Sequence, residues 1–207
     1  MDKIKIVILP QSRYISTEKE AEALSIISSI FGEQECERLK AIGNKKARIA
    51  SVCGLMALLA LDGERVGVIR RGVNGKPYFE DASLGYFSIS HSGNVAVAAR
   101  WKSELGVDVE RIDSSRDLKR IADRFFTERE LQRFHKDGNT EKSFFKIWTE
   151  KEAYVKYLGG TFASLSSKDI TGVIFKHFFF ESGDGEYIAT VCSDKETEIE
   201  LDILTGD

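Results

Sequence analysis

The sequence predicts an α+β protein made of two α+β halves with mainly antiparallel sheets. Two observations lead there. Each half reads as helical patterns followed by strand patterns, and such grouping argues against alternating parallel βαβ units. The chain has 207 residues, enough for one large domain or two small ones, and no Pro- or Ser-rich linker, repeat or low-complexity segment interrupts it.

Residues 3–9 alternate as a strand. Residues 18–31 carry Ala21, Leu24, Ile27, Ile30 and Phe31 at helical spacing, and 33–42 form a shorter helical stretch. "NKKARIASVCGLMALLAL" reads as a buried helix with a basic start, "ERVGVIRR" as a strand, and "GVNGKPYF" as a turn punctuated by Asn74-Gly75 and Pro77. The runs "GYFSISHS", "NVAVAARW" and "LGVDVERI" are strand-like. Helical patterns follow at about 115–125, 128–136 and 141–158. The second opens with Thr127 and Glu130 at capping-box spacing, and the third stops at Gly159-Gly160, which suits a C-terminal cap. "GVIFKHFFFES", "EYIATVCS" and "TEIELDIL" read as an antiparallel set of strands. Sheet core is the expectation for Phe178-Phe179-Phe180, with an exposed apolar docking edge as the other reading.

Composition narrows the function classes. Hydrophobic residues are 42% and charged residues 30%, ordinary for a globular chain. A net charge of −3 provides no general basic field for nucleic acid, so any anion site must be local. The longest apolar run, Val52 to Leu61, is about half a bilayer span, and the N-terminus lacks the apolar centre and cleavage site of a signal peptide. The three cysteines are scattered and form no CxxC pair, which argues against a disulfide framework or zinc site and fits a reducing cytoplasm. Three histidines also argue against a His-rich metal site.

Asp108 and Glu110 lie in "GVDVE", where i and i+2 side chains share one strand face while Val107 and Val109 turn the other way. Either they show two acids to water, or they hold a hard cation such as Mg²⁺ through oxygen ligands. His91, between a strand and a Gly turn, is a turn histidine or a donor to phosphate. Lys76 in "NGKPY" belongs to a plain turn or faces a nucleotide phosphate. In "IWTEKEAYVK" the apolar pattern starts at Phe144, so Thr149 falls inside the helix. Glu152 and Lys156 then share a face, Tyr154, Val155 and Leu158 pack elsewhere, and Lys151 is read as solvated.

Taken in order, GKP, SHSG, GVDVE and WTEKEAYVK resemble the 4'-phosphopantetheinyl transferase family, and within it the double-length, surfactin-synthetase-activating type. The motifs span residues 75–156, and "FFTERE" at 125–130 also fits. The resemblance implies transfer of 4'-phosphopantetheine from coenzyme A to a serine of an apo acyl, peptidyl or polyketide carrier protein, releasing adenosine 3',5'-bisphosphate. It implies a pseudo-dimer of two similar halves with the active site in the cleft between them. The expected division is 1–104, the coenzyme A nucleotide side, and 105–207, the metal and catalytic side. Asp108, Glu110 and Glu152 would hold Mg²⁺ on the pyrophosphate, Lys156 and His91 would meet the same phosphates, and Ser90 would sit beside them. Gly75, Lys76 and Pro77 would line the adenine side. Glu152 is also the candidate base for the serine proton, directly or through a metal-bound water. The 3'-phosphate would take a cation from the start of the "NKKAR" helix: Lys46 by its spacing to Gly54, with Lys45 and Arg48 as rivals. The expected protein is a cytoplasmic monomer that binds neither nucleic acid nor membrane. One departure is Gly159-Gly160-Thr161-Phe162, where the family's G-x-G-L has its second glycine one position later; this bears on carrier docking. The competing readings are a coenzyme A-binding relative without turnover, which a complex with no turnover on any apo carrier would favour, and another Mg²⁺-dependent phosphohydrolase, which would cleave simple phosphate esters.

Overall fold

A computed structural model describes residues 2–62, 65–160 and 170–204. In chain order it contains β1 (Ile4–Pro10), α1 (Thr17–Phe31), α2 (Glu33–Lys40), α3 (Lys45–Asp62), β2 (Ile69–Arg71), β3 (Pro77–Phe79), β4 (Tyr86–Ser92), β5 (Val95–Trp101) and β6 (Leu105–Arg111). There follow α4 (Leu118–Phe125), α5 (Glu128–Lys136), α6 (Glu141–Leu158), β7 (Ile174–Ser182), β8 (Gly185–Ser193) and β9 (Ile199–Ile203). The mixed, mainly antiparallel α+β class is as expected.

The strands form a four-stranded sheet in the order β4-β5-β1-β9, a three-stranded sheet β6-β8-β7, and the small β2-β3 hairpin. Alternation along β1 explains the layering. Val7 and Leu9 join one core with α1, α2 and α3, including Ile27, Phe31, Leu39 and Leu58. Ile4, Ile6 and Ile8 turn to a second core, against Val107 and Val109 of β6 and Ala189 and Val191 of β8. A third core packs Phe126, Phe134, Phe144 and Phe145 of the later helices on Ile188 of β8. Both faces of each larger sheet are therefore covered, which is why β5 is buried at all seven positions rather than every second one.

Capping sets the helix starts. Ser16, Asn44, Asp117, Thr127 and Thr140 each accept from a backbone N–H in the first turn of α1, α3, α4, α5 and α6. Thr127 and Glu130 form the capping box expected from "TERE". Gly159 ends α6 in the left-handed region, φ 64°, and Gly160 N–H closes the turn on Val155 O.

Three expectations are corrected. "TEIELDIL" does not extend β7 and β8; β9 runs parallel beside β1 in the four-stranded sheet, Ile4 opposite Ile199, because Ile199 and Leu201 can then pack on the core between the sheets. "ERVGVIRR" is strand only from Ile69 to Arg71; residues 65–68 are irregular, and Glu64 lies outside the described residues. "GVNGKPYF" is not turn throughout, since Pro77–Phe79 pair with Ile69–Arg71. Of the three phenylalanines, Phe178 and Phe180 pack on the second core, whereas Phe179 is 46% exposed beneath the Lys142 ammonium. No described helix is long and apolar enough to cross a membrane.

Candidate functional site

Strands β4 and β6 belong to different sheets but lie side by side, joined through serine hydroxyls. Val107 N–H donates to Ser88 Oγ at 3.0 Å, and Arg111 N–H donates to Ser92 Oγ at 3.2 Å. Ser90 Oγ donates to Asp108 Oδ1 at 2.8 Å, and Ser92 Oγ to Glu110 Oε2 at 2.7 Å. The i, i+2, i+4 spacing of "SISHS" puts all three hydroxyls on the strand face that meets β6. Asp108 and Glu110 share that side of β6 while Val107 and Val109 fill the core between the sheets.

Helix α6 lies directly on β6 because Gly106 has no side chain. A Cβ there would stand 1.9 Å from Ala153 O and 2.5 Å from Tyr157 N. Buried polar contacts fix the helix around its axis. Thr149 Oγ1 shares a 2.6 Å hydrogen bond with Thr190 Oγ1. Glu150 accepts two bonds from Arg133, at 2.8 and 3.0 Å, and pairs with His177 at 3.0 Å. Lys151 Nζ donates to both Glu130 oxygens, at 3.1 and 2.8 Å. Lys151 is only 1% exposed, so its reading as a solvated lysine is wrong: it is the buried counter-ion of a capping-box glutamate. Leu158, expected to pack, is 52% exposed.

On the remaining side of α6, Glu152 and Lys156 reach a cavity of about 410 Å³. Its walls include Asp108, Glu110, Glu152, Lys156, Ser90 and His91. Lys156 is not the i+4 partner of Glu152. Its Nζ donates to Asp108 Oδ1 at 2.8 Å and to Ser90 Oγ at 2.6 Å. Ser90 is thus donor to the acid and acceptor from the lysine.

The acids repel one another. Burial, then Asp108, pushes the Glu152 carboxyl up to about 7, with Lys156 pulling against them. Burial and Asp108 also raise Glu110, against the Ser92 hydrogen bond. Asp108 Oδ2 is buried and accepts no hydrogen bond. An orphaned carboxylate oxygen beside two acids held above their usual range is the environment a hard divalent cation relieves, and the all-oxygen donor set suits Mg²⁺. His91 lines the cavity, where desolvation of its ring, then the Lys156 charge, lowers its pKa.

Other expected residues fall differently. Pro77 lines the same cavity, whereas Gly75 and Lys76 line an adjoining one of about 210 Å³ with Phe87, Ile89 and Val155. Lys76 Nζ is held by Glu104 at 2.5 Å and by Tyr157 O at 2.8 Å, so it ties the turn to the end of α6. Asn74 adds a bond to Gly159 O at 3.0 Å. Lys46 does not line the cavity with the acids; it is exposed on the first turn of α3, as is Lys45. Arg48 is engaged by Glu20 and Ile42 O. Arg38, Ser51 and Arg71, which the sequence reading passed over, line the cavity. The i, i+3 pair Glu35 and Arg38 was visible in "EQECERLK"; nothing local to "RRG" marked Arg71. Thr161 and Phe162 of the shifted glycine loop lie outside the described residues.

Comparison with known proteins agrees with the geometry. Residues 104–203 match the model of the 4'-phosphopantetheinyl transferase superfamily. The chain is 40% identical over 102 residues to 4'-phosphopantetheinyl transferase HetI of a Nostoc species, covering 46% of this chain and 43% of that protein. It is 30% identical over 154 residues to 4'-phosphopantetheinyl transferase gsp of Aneurinibacillus migulanus, covering 70% and 63%. These two matches span less than two thirds of the relatives' own lengths. A Bacillus subtilis 4'-phosphopantetheinyl transferase is 26% identical over 209 residues, covering 95% of this chain and 90% of its own length. The matched segment contains Asp108, Glu110, Glu152 and Lys156, so the acids and the lysine of the cavity lie in the part of the chain that is similar to the 4'-phosphopantetheinyl transferase superfamily.

Proposed function

We propose that this protein transfers the 4'-phosphopantetheine group of coenzyme A to a serine hydroxyl of an apo carrier protein, with adenosine 3',5'-bisphosphate as the leaving product. The observation that carries the reading is the unpartnered, buried Asp108 Oδ2 within a cavity that also holds Glu110, Glu152, Lys156, Ser90 and His91. Phosphoryl transfer asks a protein for positioning and charge neutralisation rather than covalent chemistry. Asp108, Glu110 and Glu152 would hold Mg²⁺, which when bound offsets charge on the pyrophosphate and its leaving oxygen.

The chain's own residues do the rest. Ser90 orients Asp108 and Lys156 together through its two hydrogen bonds. Lys156 turns from Asp108 towards a phosphate oxygen when the acids are otherwise neutralised. His91 donates to phosphate from the cavity wall. The carrier serine oxygen bonds to the phosphorus that bears pantetheine, and the bridging P–O bond breaks towards the nucleotide. The serine proton passes to Glu152, directly or through a water. Gly75, Lys76 and Pro77, beside the apolar Phe87, Ile89 and Val155, flank the adenine. In this reading residues 1–104 bring the nucleotide wall and 105–207 the metal and catalytic wall.

Mass spectrometry of an apo carrier incubated with the protein, coenzyme A and Mg²⁺ tests this. The expected result is one added phosphopantetheinyl group, abolished by chelation and by Asp108→Ala. An unmodified panel of acyl, peptidyl and polyketide carriers, with coenzyme A still bound, would instead mark a binding protein.

A further inference from the structure

Tyr187 of β8 reaches from the second half of the chain to a turn of the first. It pairs with Arg111 across β8 and β6, and Arg111 N–H meets Ser92 Oγ, so the tyrosine stands level with the end of β4. Its side chain is fully buried, and the ring stacks on Phe180 with centroids 5.4 Å apart. Its hydroxyl donates to Asp184 Oδ1 at 2.7 Å and accepts the Asn94 N–H at 2.9 Å. Gly93 and Asn94 form the two-residue turn between β4 and β5. Gly93 has φ 54°, and a Cβ there would overlap the Tyr187 oxygen, so the hydroxyl fills the space a side chain would take.

The turn closes without this bond. Gln11 already holds it within its own half: its N–H donates to Asn94 O at 2.7 Å, and its Nε2 to Val95 O at 3.1 Å. The buried phenol is satisfied as a donor by Asp184 alone. What the bond to Asn94 adds is a tie between the two halves, at the end of the β4–β6 seam where Glu110 lies. β4 and β6 belong to different sheets, so no backbone ladder fixes their spacing. The Ser92 hydroxyl serves Glu110 while accepting the Arg111 N–H, and both bonds lengthen together if the end of β4 drifts from β6. Burial, then the hydrogen bond to Asp184, pushes the phenol up, so it stays protonated and keeps one orientation.

We propose that Tyr187 is a positioning residue for the metal site: through Asn94 and Ser92 it sets where the Glu110 carboxylate stands relative to Asp108. This rests on the reading of Asp108, Glu110 and Glu152 as ligands of a divalent cation. Asp184 belongs to the same relay, because it directs the hydroxyl proton away from the turn and leaves a lone pair for the Asn94 N–H.

Titration with Mn²⁺ alone, followed by the paramagnetic resonance signal of the free ion, tests this without a turnover assay, since Mn²⁺ suits the same oxygen ligands. The wild-type protein is expected to bind the ion and Asp108→Ala to lose it. Tyr187→Phe keeps the ring and its stacking, removes the hydroxyl, and is expected to weaken Mn²⁺ about fivefold. Ser92→Ala is expected to weaken it about tenfold, the scale of losing a partner of a ligating carboxylate. The two effects should not add: in a Ser92→Ala background, Tyr187→Phe is expected to change affinity less than about twofold. Asp184→Asn still accepts the phenol proton and should bind as the wild type does, whereas Asp184→Ala should bind more weakly; this pair decides if Tyr187→Phe does not fold. A lower melting temperature with unchanged Mn²⁺ affinity marks a tie that only stabilises the fold and overturns the proposal. An effect of full size in the Ser92→Ala background overturns it too. If the wild-type protein binds Mn²⁺ and Tyr187→Phe binds it equally, the metal reading stands without this relay. If the wild-type protein binds none, both fall.

Discussion

Lys156 Nζ stands 2.8 Å from Asp108 Oδ1, and the hydroxyl of Ser90 bridges the two. The lysine neutralises one oxygen of the acid and leaves Oδ2 buried without a partner. Cation and acid come from different elements, α6 and β6, and the serine from a third, β4. Ser90→Ala removes a donor to Asp108 and an acceptor for Lys156 at once. Steady-state kinetics is expected to show about a tenfold loss in kcat/KM, the scale of one charge-assisted hydrogen bond, with a weaker Mg²⁺ dependence.

Glu152 predicts an opposite pair of pH effects. Its carboxyl rises from 4.5 to about 7 in the folded protein. As pH climbs through that window, the unfolded chain releases its proton first, so folding stability falls, by at most about 3 kcal/mol, and levels off above about 7. Metal binding needs the ionised acid, so apparent Mg²⁺ affinity should increase over the same window. Urea melts of the metal-free protein at stepped pH check the first effect, and metal titration checks the second. Glu152→Gln is expected to reduce the stability slope, leaving the smaller part that the raised Glu110 contributes; an unchanged slope would place the titration elsewhere.

Lys151 and Glu130 are a buried pair, and breaking it strands a charge. Lys151→Met should cost about 3–5 kcal/mol in chemical denaturation. Adding Glu130→Gln keeps the oxygen that accepts Thr127 N–H and removes the stranded charge, so the double variant should recover most of the loss. A double variant as unstable as the single one would show that packing of the lysine stem, not its charge, holds α6.

Gly106→Ala should be among the most damaging small changes. The added methyl meets backbone atoms of α6, which cannot rotate away as a side chain would. A loss of at least about 2–3 kcal/mol is expected, with reduced metal affinity as α6 lifts off β6 and carries Glu152 away from Asp108. Thermal melting with and without Mg²⁺ measures both.

Lys46→Ala should change nucleotide affinity less than twofold, since the side chain is exposed and outside the cavity lining. Calorimetry with adenosine 3',5'-bisphosphate on this variant and on the wild-type protein measures the difference.

Local pattern was enough for much of this protein. Alternation in "GVDVE" put two acids on one side of a strand, helical spacing in "IWTEKEAYVK" put Glu152 and Lys156 on one face, and "TERE" marked a helix start, because side-chain direction within an element follows from its period. Contacts between elements carry no such period. That Lys151 is buried follows from where α5 packs, not from its neighbours on α6. Lys156 turning to Asp108 instead of Glu152 depends on Gly106 bringing α6 onto β6. Arg38 and Arg71, 33 positions apart, meet at Glu35 only after α2 and β2 fold together, and β9 leaves its sequence neighbours to lie beside β1. Burial and partnership are set by chain segments distant in sequence, so those assignments belonged to the folded molecule alone.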